Sequence, residues 1–422
     1  MKTNHLAQKE NFTNFFWRAI QLFGKKGVSF VIFYFASLFL IPKDFGELNY
    51  LLAIVSLLLI FCDFGLSTAT AKYVAEYKSK DKKLLKKVLP SVTFLVFVFT
   101  SMIVLLLLAL GKKIIGDYPY IYIFIPYLYL VPIVGVLEGI YRGKKNFKTL
   151  SLITIISGLS TILLSYFFIK NYGITGTIIS LIVLYIIDGV ILFVKQDDKS
   201  REFNYQIVKD VANYSIILGV VNLMYYLFIR VDVLILKRFD YILEIGYYEI
   251  INRILDLIVI PFILFSQILA PDITREYVKK KMKLIKRKSN SLIIFSLLLI
   301  GPVAVILYFL FPYILKLMFA KYYGNEIMQM FNLIIFALPF RVIYNILNHA
   351  IAVPTGHGKI SMWAMIIGGI INLFLDIIFI KAFGYIGVVY STLVCFPVAA
   401  IIMTILLYKK LNKLLQIDSG EL

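Results

Sequence analysis

The sequence predicts an all-α membrane protein of twelve transmembrane helices in two six-helix lobes, and three observations predict it. Twelve long apolar stretches fill the 422 residues almost from end to end. The polar turns between them are heavily basic on every second occasion. The end of the first half of the chain also recurs in the second. Composition agrees: 60% hydrophobic and only 16% charged residues, with a mean hydropathy of +0.86, leave too little polar surface to cover a water-soluble body.

A segment that crosses hydrocarbon needs about 20 apolar residues in a helix, because no water is there to satisfy the backbone. The spans predicted in the first half are Asn14 to Leu40, Phe45 to Ala71, Val88 to Leu110, Tyr120 to Tyr141, Thr149 to Ile169 and Ile174 to Val194. Those in the second half are Val211 to Leu236, Gly246 to Ala270, Ser289 to Leu315, Ile327 to Val353, Ile360 to Ile380 and Tyr385 to Tyr408. A β-barrel is excluded, since its strands would be about ten residues long and would alternate.

Orientation follows from the basic residues, which resist translocation. With the N-terminus inside, the cytoplasmic segments hold 29 Lys and Arg and the external ones 9. Both termini are therefore expected in the cytoplasm of a prokaryotic cell, with the chain multi-pass in its plasma membrane. The net charge of +20 is then mostly topology. Short basic loops such as Lys72 to Lys87 and Arg275 to Lys288 are explained by an anionic leaflet, so membrane lipids are expected partners and nucleic acid is not. The N-terminal helix is interrupted by Arg18, Lys25 and Lys26 and lacks a cleavage site, so it is read as part of the mature protein. Cys62 and Cys395 fall inside predicted helices and are expected to pack as small apolar groups.

A shift of 211 residues aligns Gly158, Phe168, Ile169, Lys170, Gly173, Gly176, Ser180 and Val183 with Gly369, Phe379, Ile380, Lys381, Gly384, Gly387, Ser391 and Val394. The Lys-x-x-Gly-x-x-Gly turn carries this match, since Ile and Phe coincide easily in apolar helices. Six helices per half is an even number, so the repeat is parallel. That arrangement is found in transporters that alternate access around a central cavity. The expected boundaries are a first lobe at residues 1–195, a cytoplasmic linker at 196–210 containing Asp197, Asp198, Lys199 and Arg201, and a second lobe at 211–422.

Charge inside a span is costly and usually faces a cavity or a partner. Six cations fall in the spans: Arg18, Lys25, Lys26, Arg230, Arg253 and Arg341. In the first helix Asn14, Arg18, Gln21, Lys25 and Ser29 form one polar stripe at helical spacing. The seventh offers Ser215, Asn222, Tyr226 and Arg230, the eighth Glu249, Asn252, Arg253 and Asp256, and the tenth Arg341, Asn345, Asn348 and His349. Intramembrane acids are Asp63, Glu138, Asp188, Asp232, Asp256 and Asp376. Arg253 with Asp256 and Glu138 with Arg142 read as local pairs. Arg18, Asp63 and Asp188 read as groups near the inner interface that reach water. Asp232, two residues from Arg230, points to another face. Lys25, Arg230 and Arg341 have no acid at helical spacing on their own faces. They are the leading candidates for binding an anionic group such as phosphate, with Arg18, Lys26 and Arg253 secondary. Gln21, Asn222, Asn345 and His349 are candidate cavity lining. The substrate reading requires the three leading cations not to be locked each against its own carboxylate.

Three further stretches carry a resemblance. Pro42-Lys43-Asp44-Phe45-Gly46-Glu47-Leu48, then Asp63-Phe64-Gly65-Leu66-Ser67-Thr68-Ala69, then Gly139-Ile140-Tyr141-Arg142-Gly143 with Phe147-Lys148 resemble the polysaccharide exporter family of Wzx-type flippases. In that family a turn of the form G-x-x-x-[FY]-G follows a basic first helix, and D-x-G-L closes the second; Pro42 stands here for the first glycine. Ile245-Gly246-Tyr247-Tyr248, Ala270-Pro271 and Thr355-Gly356-His357-Gly358 continue the likeness. The resemblance implies the V-shaped, MATE-like fold of the multidrug, oligosaccharidyl-lipid and polysaccharide (MOP) superfamily. It implies a substrate of polyprenyl-pyrophosphate-linked oligosaccharide, O-antigen type repeat units included, and partners among other polysaccharide-assembly proteins.

No cofactor or metal is expected. Coupling to H+, Na+ or membrane potential is open, with Asp63, Asp256 and Asp376 as candidate ion sites. The alternatives are a MATE-like exporter of small cations, a lipid II flippase, a membrane glycosyltransferase or polymerase, and a receptor or scaffold. External turns as short as Gly111 to Pro119 leave an enzyme little room for an acceptor site. Gly356-His357-Gly358-Lys359 also lacks the rest of a phosphate loop.

Overall fold

The computed structural model describes residues 2–419 except Asp81, Asp117, 197–199 and Arg201; side chains are described from Thr13 onward, apart from Phe15, 79–80, Lys82 and 417–419. Helices are the regular structure of the described residues. In the first half they are α1 (Lys2–Phe39), α2 (Pro42–Asp63), α3 (Leu66–Lys80), α4 (Lys82–Ile115), the single turn α5 (Tyr120–Ile123), α6 (Ile125–Gly143) and α7 (Phe147–Val194). Then follow α8 (Tyr205–Arg238), α9 (Ile242–Val278), α10 (Met282–Met318), α11 (Asn325–Ile334), α12 (Leu338–Ile346), α13 (Gly358–Phe383) and α14 (Gly387–Ser419).

Among the described residues ten segments are long and apolar enough to cross a membrane, and two of them, Phe147–Val194 and Gly358–Gln416, are twice the needed length. Each of these two folds back at a glycine. In α7 the turn is Gly173, at φ 55° and ψ −125°. Between α13 and α14 it is Gly384, at φ 64° and ψ −148°. Only glycine occupies this region without strain. Divided there, the ten segments are the twelve spans that the sequence predicts.

The sequence repeat is also a repeat of local geometry. Three residues past each turn, a side chain on Gly176 or Gly387 would collide with the main chain of Phe168 or Phe379. Ser180 then donates to the Gly176 carbonyl at 2.7 Å, and Ser391 to that of Gly387 at 3.2 Å. The matched glycines and serines are thus one helix–turn–helix used twice.

The second predicted span is broken. Phe64 and Gly65 adopt φ of 42° and 85°, ending α2. The Asp63 carboxylate then accepts from Gly65 N, Ser67 N and Ser67 Oγ, each at 3.1 Å, and so caps α3. This is a helix N-cap built from the Asp-x-Gly-Leu-Ser motif. The tenth span is irregular too, with a 3-10 turn at Ile335–Ala337 and a π-helical stretch at Leu347–Ala352.

The chain divides into two compact units, Met1–Leu223 and Met224–Leu422. In the first, α1 lies along α7, with Val28 and Ile32 packed on Ile169, and Leu66, Val74, Val88, Val92, Val96 and Val136 form a second core. Ile207, Val208 and Val211 from the start of α8 are buried in that second core, which is why the division falls within α8. The expected boundary segment contains Asp197, Asp198, Lys199 and Arg201, which lie outside the described residues. In the second unit the rings of Phe311 and Phe331 stack 3.6 Å apart at 7°, joining α10 to α11. Cys62 and Cys395 are buried free thiols.

Candidate functional site

Each unit carries its own intramembrane polar cluster, and ion pairs between helices organise both. In the first unit Lys25 Nζ on α1 bonds to Glu138 Oε1 on α6. The lysine side chain is 34% exposed and the glutamate 12%. Asp188 on α7 is 4% exposed, accepts from Ser157 Oγ at 2.6 Å, and lies within electrostatic reach of both Lys25 and Glu138. One turn back on α1, Gln21 is fully buried and accepts from Arg18. Arg142 donates to the Ser67 carbonyl at 3.1 Å.

In the second unit Arg230 Nη1 on α8 bonds to Glu249 Oε1 on α9. The arginine side chain is 30% exposed and the glutamate 2%. Arg341 on α12 donates to Asp256 Oδ1 at 2.7 Å and to Asn252 Oδ1 at 3.0 Å, and its guanidinium lies 4.9 Å from the centre of the Phe396 ring. Here the exposure is inverted: 7% for the arginine side chain, 44% for the aspartate. A second cluster gathers on Asp232. Tyr248 OH and Asn372 Nδ2, the latter at 2.8 Å, donate to its carboxylate, and Thr392 Oγ1 lies 3.2 Å from the Tyr248 hydroxyl. Asp376, fully buried, adjoins Asp232, and among the described residues neither of its carboxylate oxygens has a hydrogen-bond donor. Two adjacent buried carboxylates cannot both be charged without a counter-ion. This pair is therefore suited to hold a proton or a small cation. Asn372 and Thr392 supply neutral oxygens nearby, while among the described residues no group of three or more His, Cys, Asp or Glu converges.

Several expectations are corrected. Lys25, Arg230 and Arg341 are not free of carboxylates: each has one, on another helix, where spacing along a single helix cannot reveal it. Glu138 pairs with Lys25 rather than with Arg142, and Asp256 with Arg341 rather than locally with Arg253. The supposed excess of positive charge is thereby cancelled at all three leading positions, and with it the argument from uncompensated cations to an anionic substrate. Asp63 is committed to capping α3, and Asp188 is buried against Ser157 instead of reaching water. Asn345 donates back to the Arg341 carbonyl at 2.8 Å, Asn222 is exposed, and His349 sits on the π-helical stretch. Glu249, which sequence reasoning placed only among the polar residues of the eighth helix, and Asn372, which it did not name, are central. The Glu249, Asn252 and Asp256 spacing along one face of α9 was the available signal for the first; nothing in the sequence marks the second.

Comparison with known proteins gives the following. A family model described as "Polysaccharide biosynthesis protein" matches residues 12–275, and the MatE model matches residues 218–378. An uncharacterized membrane protein of Methanocaldococcus jannaschii is 25% identical over 397 residues, 87% of this chain and 91% of its own length. Among solved structures, a multidrug resistance MATE family transporter of the MOP superfamily superposes with a TM-score of 0.80 over 93% of this chain and 96% of its own, at 14% identity. A MOP superfamily transporter from Pyrococcus furiosus, described as having a binding pocket of reverse polarity, gives a TM-score of 0.69 over 96% of each chain at 15% identity. At that identity these two show the fold.

Proposed function

We propose, from the premise that this chain belongs to the polysaccharide biosynthesis protein family within the MOP superfamily of multi-pass membrane transporters, that it is a flippase for polyprenyl-(pyro)phosphate-linked oligosaccharide repeat units. On this reading it works in the cytoplasmic membrane of a prokaryote with both termini inside, supplies cell-surface polysaccharide assembly, and catalyses no covalent step.

The observation that carries the reading is the family match over residues 12–275. The site supports it in a revised form. An ammonium and a guanidinium each have more donors than one carboxylate oxygen uses. Each part-exposed side chain in its own unit, Lys25 in the first and Arg230 in the second, therefore keeps donors for phosphate oxygens while its carboxylate holds it in place and cancels its cost in the membrane. Arg341, buried beneath Asp256, serves as an anchor. Arg18 and Arg253 are secondary contributors beside these pairs, as is the exposed Lys26. The Asp232–Asp376 pair is the coupling site, exchanging a proton or Na+ in step with transport.

A MATE-like exporter of small molecules is the second reading, favoured by the MatE match and by the cancelled charge. The deciding experiment is reconstitution in vesicles. Translocation of a fluorescent polyprenyl-pyrophosphate glycan without export of ethidium supports the flippase; the reverse result overturns it.

A further inference from the structure

The half-exposed acid of the second unit has chemistry that a pyrophosphate site does not need. Asp256 lies within a membrane span, yet its side chain is 44% exposed above an arginine that is 7% exposed. Arg341 is fixed by Asp256, Asn252 and the Phe396 ring together, so it holds the aspartate still rather than meeting a ligand itself. It engages Asp256 Oδ1. A carboxylate so placed faces a polar compartment, since acyl chains would not tolerate it. Tyr225, 52% exposed, lies five residues before Arg230 on α8 as Asp256 lies seven after Glu249 on α9, so the Arg230–Glu249 pair between these consecutive helices brings the two to one level.

We propose that Asp256 and Tyr225, flanked by the part-exposed Arg230 side chain, form a sugar-binding subsite. The assignment rests on the flippase reading and deepens it. A carboxylate oxygen accepts hydroxyl hydrogens that a sugar presents, an aromatic ring offers an apolar face to the C–H side of a pyranose, and a guanidinium donates to ring or hydroxyl oxygens. Charge decides among ligands. A phosphate would find no net positive field, because Asp256 neutralises Arg341 and Glu249 neutralises Arg230. An organic cation would find no net negative field, because Arg341 neutralises Asp256 and Glu249 is already paired with Arg230. A neutral polyol fits what remains.

The test compares two probes on the full chain in nanodiscs: undecaprenyl pyrophosphate bearing an N-acetylhexosamine, and the same lipid without sugar. The wild type is expected to bind the sugar-bearing probe at least tenfold more tightly. Tyr225→Leu should erase that difference while binding of the bare lipid stays unchanged, Asp256→Asn should erase it without weakening binding of the bare lipid, and Tyr225→Phe should keep it. Equal binding of the two probes by the wild type, retention of the preference by both variants, or displacement of the sugar probe by ethidium would overturn the subsite. Binding of neither probe by the wild type would overturn the flippase reading itself. Tyr225 is exposed, so its variants test the idea even if Asp256→Asn disturbs folding.

Discussion

Lys25 and Glu138, 113 residues apart in sequence, form an ion pair between α1 and α6 inside the membrane-spanning region. Removing the ammonium leaves a carboxylate that is 12% exposed with its main partner gone, which in buried pairs costs on the order of 3 kcal/mol. Removing both charges leaves nothing stranded. Lys25→Met should therefore lower the unfolding midpoint in detergent clearly, and Lys25→Met with Glu138→Gln should restore most of the loss. Equal destabilisation by the single and double variants would show that the lysine contributes by packing alone.

Arg230 and Glu249 permit a test of which partner serves the substrate. Glu249 is 2% exposed while Arg230 is 30% exposed, so only the arginine can meet a ligand. Glu249→Gln frees guanidinium donors and should maintain or strengthen binding of undecaprenyl pyrophosphate. Arg230→Gln should weaken it about tenfold, or about 1.4 kcal/mol. Equilibrium binding to nanodisc-held protein measures both; equal weakening would mean that the intact pair, not the cation, is what binding needs.

How much of this was legible in the sequence depends on the range of the interaction. The twelve spans and the Gly173 and Gly384 turns follow from apolar run length and from a repeat that any reader can align. The polar stripes on α1, α8 and α9 also follow, because helical spacing is local. The partners of Lys25 and Arg341 do not, since Glu138 and Asp256 stand 113 and 85 residues away and many packings satisfy the same stripes. Asp63 shows the opposite failure. Its role is wholly local, an N-cap read off Asp-x-Gly-Leu-Ser, but its place inside an apolar run made it look like an ion site. The family resemblance drawn from short motifs proved the more durable guide, while the substrate argument built on unpaired charge did not survive the pairings.

The two repeat turns should fail alike. Gly176 and Gly387 have main-chain atoms of Phe168 and Phe379 where a Cβ would go, and Gly173 and Gly384 hold positive φ. Gly173→Ala and Gly384→Ala should each cost about 1–3 kcal/mol, visible as a lowered unfolding midpoint and reduced yield of folded protein. Gly301, which has open space around it, is the control: Gly301→Ala in mid-helix should be neutral or raise stability by up to about 1 kcal/mol. Comparable losses at all three positions would remove the link between the repeat and its backbone geometry.

Asp376 carries the last prediction because it and Asp232 are buried acids that, among the described residues, form no ion pair with a basic residue. Its neighbour Asp232 already accepts from Tyr248 and Asn372, so among the described residues the second carboxylate is left without a hydrogen-bond donor. Holding both charged there would cost several kcal/mol, and a proton or Na+ shared between them removes that cost. A gradient of that ion can then drive a change in the second unit, because loading and unloading alter the repulsion between α8 and α13. Asp376→Asn fixes the neutral form. In vesicles it should abolish the acceleration of glycan-lipid flipping by an imposed Na+ or proton gradient, while equilibrium binding of the bare lipid pyrophosphate stays intact. Asp232→Asn should do the same, and the double variant should be no worse than either single one, as expected for two groups that hold one ion. A gradient response that survives in Asp376→Asn would place coupling elsewhere, with Asp188 beside Lys25 as the next group to neutralise.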